Sequence, residues 1–307
     1  MRIIRIALDW TPNTIHAGLF LAQHKGFYKD AGIKAEFISP EADNYKLTPA
    51  RRLSRRTVDF AIAPSESVIS YNTSRRPVAI TSVASILQRD TSAIVTLKSS
   101  GITRPKQLDG RTYATYSARF EDGIVAQMVK NDGGKGEFKP VAIGRLGIWD
   151  MLKSGEADST WVFMPWEGIE AKKNGLELNV FRMEDYGIPY GYTPLLLAHI
   201  SAIRSNEDAY RRFMAATARA YEEIAANPES AASLLCEKID HPNFSDESFI
   251  AASLRELQPA LLNSNGKWGV MDGRVWGDFV NWLIEIELLR PKRPIEGWHL
   301  YTNKLLE

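Results

Sequence analysis

Apolar and polar positions along the first two thirds of the chain come in repeating blocks. A short apolar run is followed by a polar or aromatic cluster and then by residues with helical spacing. The first run, Ile3 to Leu8, predicts a buried strand that ends in Asp9, Trp10, Asn13 and His16. Ala17 to Lys25 then predicts a helix closed by Gly26, and Phe27-Tyr28 leads through Gly32 to a strand at Ile33 to Ile38. This is a β-α-β unit. Further strands are expected at Val58 to Ala63, Val78 to Ala84, Ala93 to Leu97, Thr112 to Tyr116, Phe138 to Ile143, after Asp158, and at Leu195 to His199. Helices are expected from Thr48-Pro49 to Arg56, from Pro64-Ser65 to Tyr71, over Ile124 to Lys130 and over Gly147 to Lys153. From Ser205 the chain reads as helices alone: Asp208 to Ala226, Glu229 to Lys238, Glu247 to Leu262 and Val275 to Leu289. Alternating strands and helices followed by a helical end predict an α/β fold.

In open α/β sheets ligands lie outside the carboxyl ends of the strands, so Asp9, Trp10, Asn13 and His16 are the first candidates. Ser65 and Glu66 follow a strand in the same way. There the backbone N–H groups of Ser65 to Ser67 could hold an anion or a carbonyl, or Ser65 is an ordinary N-cap. Asp158 to Glu167 repeats the local pattern of Val58 to Glu66, which predicts two related lobes with Glu66 and Glu167 in corresponding positions. Either carboxylate suits the amino group and protonated ring nitrogen of an aminopyrimidine. Each equally suits the dipole of a first helical turn. Tyr116 and Arg119 sit on a strand-to-helix loop, where Arg119 offers a charge to an anion or pairs with the adjacent acids. Tyr186, Tyr190 and Tyr192, among glycines and prolines, suit stacking on a planar ligand. Trp161, Phe163 and Trp166 divide between two faces of a strand, so that one of them belongs to the core. Trp276, Val280 and Leu283 read as a buried stripe, and Trp268 and Trp298 as lobe-packing residues.

Composition narrows the classes. At 307 residues the chain exceeds what one core serves, and 38 Lys and Arg against 37 Asp and Glu give a net charge of +1. No basic run favours nucleic acid or an anionic membrane, so the expected ligand is small. The single cysteine, Cys236, in Ala231-Ala-Ser-Leu-Leu-Cys236, excludes an internal disulfide and reads as a small buried hydrophobe. One Cys and five scattered His assemble no metal site, and no cofactor is expected. The chain enters its first strand directly and holds no apolar run of transmembrane length. The expectation is a cytoplasmic protein, or a periplasmic or extracellular one if an export signal has been removed.

The runs Leu8-Asp9-Trp10-Thr11-Pro12-Asn13, Gly18-Leu-Phe-Leu-Ala22 and Gly26-Phe-Tyr-Lys-Asp-Ala-Gly32-Ile33 resemble the opening of the thiamine-pyrimidine group of periplasmic-binding-protein folds, a resemblance extending to about Ser205. It implies a two-lobed type II periplasmic-binding-protein fold with a ligand cleft between lobes and a helical C-terminal region. Counting chain crossings assigns 1–92 and 196–307 to lobe one and 93–195 to lobe two, with hinge closure around the ligand. The implied function is binding of a thiamine-pyrimidine precursor of the hydroxymethylpyrimidine or formylaminopyrimidine type. An ABC transporter permease would be a partner if the protein is exported. The group also holds hydroxymethylpyrimidine phosphate synthases, which make the pyrimidine from their own histidine and pyridoxal phosphate, with iron. Aligned on Val58-Asp59, their lysine and histidine fall on Pro64 and Val68 here, Ile188 to Thr193 replaces their cysteine-rich segment, and Ser117 to Gly123 replaces their phosphate-gripping glycine loop. These departures argue against the synthase, which remains the alternative together with an alkylsulfonate-type binding protein; Trp10, Glu66 and Glu167 fit the latter poorly.

Overall fold

The computed structural model describes residues 1–142, 147–291 and 298–307; the expected strand end at Ile143 lies outside them. The chain divides into unit 1 (Met1–Asp90, Gly191–Trp276 and Pro291–Glu307) and unit 2 (Thr91–Tyr190 and Gly277–Arg290). Chain order alone put residues 277–290 with the first lobe. They group with unit 2 because Phe279 meets the Tyr190 ring edge-on at 5.2 Å and Leu288 lies against Gly123.

Unit 1 opens with β1 (Arg2–Ala7), α1 (Ala17–His24), α2 (Phe27–Asp30), β2 (Ile33–Ile38), α3 (Pro49–Ser54), β3 (Phe60–Ala63), α4 (Ser65–Thr73) and β4 (Ile80–Ser85). Unit 2 holds β5 (Ser92–Leu97), β6 (Thr112–Thr115), α5 (Glu121–Asn131), β7 (Lys139–Ala142), α6 (Ile148–Ser154), β8 (Ser159–Phe163), α7 (Ile169–Lys173) and β9 (Leu178–Phe181). The chain returns to unit 1 with β10 (Leu195–His199), α8 (Ile200–Ser205), α9 (Glu207–Ala226), α10 (Pro228–Lys238) and α11 (Glu247–Leu261), and α12 (Gly273–Glu285) carries residues of both units. β9 was not expected: four residues, paired on one side only to β5, carry too short a pattern to read. Among the described residues no helix is long and apolar enough to cross a membrane.

Each unit is built on a five-stranded mixed sheet, ordered β2-β1-β3-β10-β4 in unit 1 and β7-β6-β8-β5-β9 in unit 2. Three parallel strands lie on one side in both, and the fourth, β10 or β5, runs antiparallel to both its neighbours. The repeat reaches single atoms. Asp59, just before β3, accepts the Arg5 N–H at 2.9 Å through Oδ2, while its own N–H donates to the Arg5 carbonyl at 2.9 Å. Asp158, just before β8, makes the same pair with Thr112, each bond again 2.9 Å. Both aspartates thus set the register of a parallel strand pair in which the next residues, Ile6 and Phe60 or Tyr113 and Ser159, face each other.

Asp59 also accepts the Tyr210 hydroxyl at 2.9 Å, deep in unit 1 where Tyr210 is 1 % exposed. Asp59→Ala therefore strands a buried phenol as well as a strand N–H. It is expected to cost about 2 to 3 kcal/mol, against about 1 kcal/mol for Asp158→Ala, measured by urea unfolding. Equal losses would show that the Tyr210 bond contributes nothing.

The unit 1 core is aromatic where α9 covers the sheet. Phe60 stacks on Phe213 at 4.9 Å and Phe213 on Tyr28 at 5.1 Å. Trp268 packs the interior of unit 1, 1 % exposed, stacked on Tyr221 at 4.6 Å and donating to the Ile86 carbonyl at 3.2 Å. Trp276, Val280 and Leu283 are buried, as their helical spacing requires. Unit 2 has an aliphatic core of Val95, Ala114, Leu152 and Val162 capped by Trp149. Cys236 is half-buried on α10 rather than fully enclosed, and burial still raises its thiol pKa.

Candidate ligand site

β1 ends where the polar cluster begins, and β3 lies parallel beside it with Ala7 opposite Ala61. The carboxyl ends of the two strands are therefore neighbours, with Asp9 and Trp10 following β1 and Ser65 and Glu66 following β3 at the start of α4. The His16 side chain is fully buried and its Nε2 lies 2.8 Å from Asp9 Oδ1. The Asn13 N–H donates to His16 Nδ1 at 3.2 Å, which leaves the proton on Nε2 and makes His16 the donor to Asp9. Asp9, its side chain 30 % exposed, is thereby held by a residue that cannot itself reach a ligand. Asn13 is also withdrawn from the site: its side chain accepts the Ile15 N–H at 2.9 Å and donates to the Thr11 carbonyl at 3.1 Å. The polar pattern that marked Asn13 and His16 is helix-entry chemistry. Trp10 is half-buried and its ring meets Tyr45 at 5.3 Å, a residue that sequence reasoning did not select.

At the start of α4, Ser65 is fully buried and its N–H donates to the Tyr192 carbonyl at 3.3 Å, while the Ser67 N–H donates to the Pro64 carbonyl at 3.0 Å. Two of the three amides expected to hold an anion are thus engaged within the chain. Nor is Ser65 the N-cap, which is Pro64. Glu66, 8 % exposed, accepts the Ser65 hydroxyl at 3.3 Å and stays a site candidate. Tyr192 is a core residue, 4 % exposed, whose hydroxyl accepts the Asp272 N–H at 2.9 Å; burial raises its phenol pKa.

In unit 2 the carboxyl end of β6 carries Tyr116, 38 % exposed. Burial of its phenol, then the charges of Glu167 and Glu121, raise that group's pKa. Glu121, 4 % exposed, organises the loop: it accepts the Tyr113 hydroxyl at 2.8 Å, the Tyr116 N–H at 2.9 Å and the Ala118 N–H at 3.0 Å. Between those amides the Ser117 N–H donates to Thr115 Oγ1 at 3.0 Å. A buried carboxylate thus fills the place an outside anion would take, and burial raises its pKa. Arg119 lies over the Phe120 ring at 4.6 Å. After β8 the chain makes one wide turn, Met164–Gly168, of the π type that recurs at functional sites; Trp166 and Glu167 sit on it, and Glu167 Oε2 accepts the Phe163 N–H at 3.0 Å. Trp161, 7 % exposed, is the core member of its group and meets Tyr190 at 5.2 Å.

The tyrosine turn does not act as one surface. The Tyr186 carbonyl accepts from Asn131 at 2.7 Å, at the opposite end of α5 from Glu121, and its ring packs edge-on to Phe181 at 6.4 Å. An eleven-residue helix is about 16 Å long, so Tyr186 lies away from Tyr116. At the synthase positions, Pro64 caps α4 and Val68 is fully buried. Among the described residues no group of His, Cys, Asp and Glu is placed to hold a metal ion. A cavity of about 400 Å³ lined by Arg2, Arg5, Arg56 and Asp59 lies at the amino ends of β1 and β3, the far end of those strands from Asp9 and Glu66.

Comparison with known proteins gives the chain's relatives and its fold. The formylaminopyrimidine-binding protein of Halalkalibacterium halodurans is 24% identical over 287 residues, covering 92% of this chain and 85% of that protein. The 4-amino-5-hydroxymethyl-2-methylpyrimidine phosphate synthase of Legionella pneumophila is 25% identical over 240 residues, covering 76% and 73%. Among solved structures, the alkanesulfonate-binding protein SsuA of Xanthomonas axonopodis pv. citri, bound to MOPS, superposes with a TM-score of 0.73 at 12% identity over 98% of this chain and 99% of its own, which shows the periplasmic-binding-protein fold. The family model described as NMT1/THI5 like matches residues 13–231, more than two thirds of the chain, and the chain belongs to that family.

Proposed function

We propose that this protein binds a small heteroaromatic, a thiamine-pyrimidine precursor of the hydroxymethylpyrimidine or formylaminopyrimidine type, and does not convert it. The observation that carries this reading is the pairing, at adjacent carboxyl ends of β1 and β3, of an aromatic face on Trp10 with two carboxylates, Asp9 and Glu66. A flat ring bearing an amino group and a basic ring nitrogen needs a stacking surface and an anionic acceptor, and an alkylsulfonate needs neither. Chemistry of the synthase kind finds no lysine or histidine at Pro64 and Val68, and Val68 is core. In unit 2, Tyr116, Trp166 and Glu167 offer a second aromatic and carboxylate set. A binder that does not convert its ligand hands it on, and where the chain is exported an ABC-importer permease is the proposed recipient.

The test is a calorimetric and thermal-shift titration against hydroxymethylpyrimidine, its phosphate, formylaminopyrimidine, pyridoxal phosphate and an alkanesulfonate. A pyrimidine at about 100 times its dissociation constant should stabilise the protein by roughly 2.7 kcal/mol. Stabilisation by the sulfonate or by pyridoxal phosphate alone would overturn the reading.

A further inference from the structure

The loop between β2 and α3 brings Tyr45 to Trp10. It runs from a short 3-10 turn, Pro40–Asp43, through Asn44 and Tyr45, whose φ angles are +53° and +60°. Asn tolerates the left-handed region, but a bulky aromatic residue pays a steric penalty there. Among the described residues Tyr45 is the single aromatic side chain held at a positive φ. The surroundings impose the conformation: the Tyr45 N–H donates to the Pro40 carbonyl at 2.9 Å, the Asn44 N–H to the Glu41 carbonyl at 3.1 Å, and Arg52 on α3 holds Asp43 Oδ2 at 2.6 Å. The result is a ring set against Trp10, centroids 5.3 Å apart and planes inclined at 53°. Rings tilted in this way open from a shared edge, so a flat ligand can stack on one face while its edge meets the other ring. The same loop holds Asp43 Oδ1 buried with no hydrogen-bond partner among the described residues, an acceptor that a donor from outside the chain would satisfy.

We propose that Tyr45 is a ligand-contacting, specificity-determining residue: with Trp10 it forms an aromatic corner that takes one heteroaromatic ring bearing a hydrogen-bond donor. The inference rests on the binding function proposed above and adds a loop that neither the motif residues nor the strand ends indicate. Strained backbone persists where surrounding structure over-determines it, and such sites cluster around ligands.

The test compares Tyr45→Asn, which removes the ring and suits the left-handed backbone, with Tyr45→Phe, which keeps the ring. Formylaminopyrimidine and hydroxymethylpyrimidine are the probes, and Trp10→Ala is the reference. Tyr45→Asn is expected to weaken binding by about 10-fold, with a melting temperature equal to or above that of the unmodified protein, and Tyr45→Phe to stay within about 2-fold. Tyr45→Asn binding as tightly as the unmodified protein, while Trp10→Ala loses affinity, would overturn the inference and leave the function standing. Failure of the unmodified protein to bind either pyrimidine would overturn both.

Discussion

Replacing Gly18 with valine is expected to destabilise unit 1 by more than about 3 kcal/mol, and replacing it with alanine by about 1 to 3 kcal/mol, in urea or thermal unfolding. Helix propensity alone argues the reverse, since Gly within a helix such as α1 is about 1 kcal/mol worse than Ala. The neighbouring ring decides the sign. A Cβ on Gly18 would meet Tyr221 Cδ2, Cε2 and Cγ at or within 2.5 Å, far inside van der Waals contact. Tyr221 has nowhere to retreat, because its other side stacks on Trp268 at 4.6 Å with planes 5° apart and its hydroxyl donates to the Ile15 carbonyl at 2.6 Å. Trp268 is itself tied to Ile86. Any outward shift of α1 moves the turn Thr14–His16 that leads into it, and with His16 the Asp9 carboxylate. Gly18→Ala should therefore also weaken ligand binding in the protein that remains folded. Stabilisation by Gly18→Ala would show that the aromatic stack yields at little cost.

The parts of the fold legible in the sequence are those written as a period. Ile3 to Leu8 reads as a strand, Ile33 to Ile38 and Leu195 to His199 match β2 and β10 residue for residue, and the Asp-strand-Glu pattern at Val58 and Asp158 is the repeated register clamp of two sheets. The parts that were not legible depend on long-range partners. Nothing local distinguishes Asn13 and His16, which serve a helix entry, from Trp10, which keeps an aromatic surface half-exposed. Seven residues hold Tyr186, Tyr190 and Tyr192, yet the chain carries them to the far end of α5, to Trp161 and to the Asp272 N–H. Tyr45 carries no local signal because the left-handed region is marked in sequence by glycine or asparagine, not by an aromatic residue. Gly18 looked like one small residue in an apolar helix, since the ring that needs it lies 203 positions later, at Tyr221.

Trp10→Ala is expected to weaken the affinity for whichever pyrimidine the titration identifies by about 30- to 150-fold, equivalent to about 2 to 3 kcal/mol. The size follows from two contributions. Stacking adds ~0.5 to 1.5 kcal/mol beyond area burial, and a ligand ring that no longer covers an indole leaves its own apolar face in water at about 25 cal/mol per Å². Trp10→Phe keeps a flat face of smaller area and should retain most of the affinity, within about 10-fold. Structural collapse is separable from lost stacking here, because Trp10 is half-buried whereas the neighbouring Asp9 is held through the fully buried His16. The alanine variant should thus melt within a few degrees of the unmodified protein while binding poorly. Unchanged affinity in Trp10→Ala would remove the aromatic face from the site and with it the argument for a heteroaromatic ligand. If Glu66→Gln then still cost about 10-fold, the carboxylate alone would be the recognition element and the ligand would be sought among non-aromatic amines.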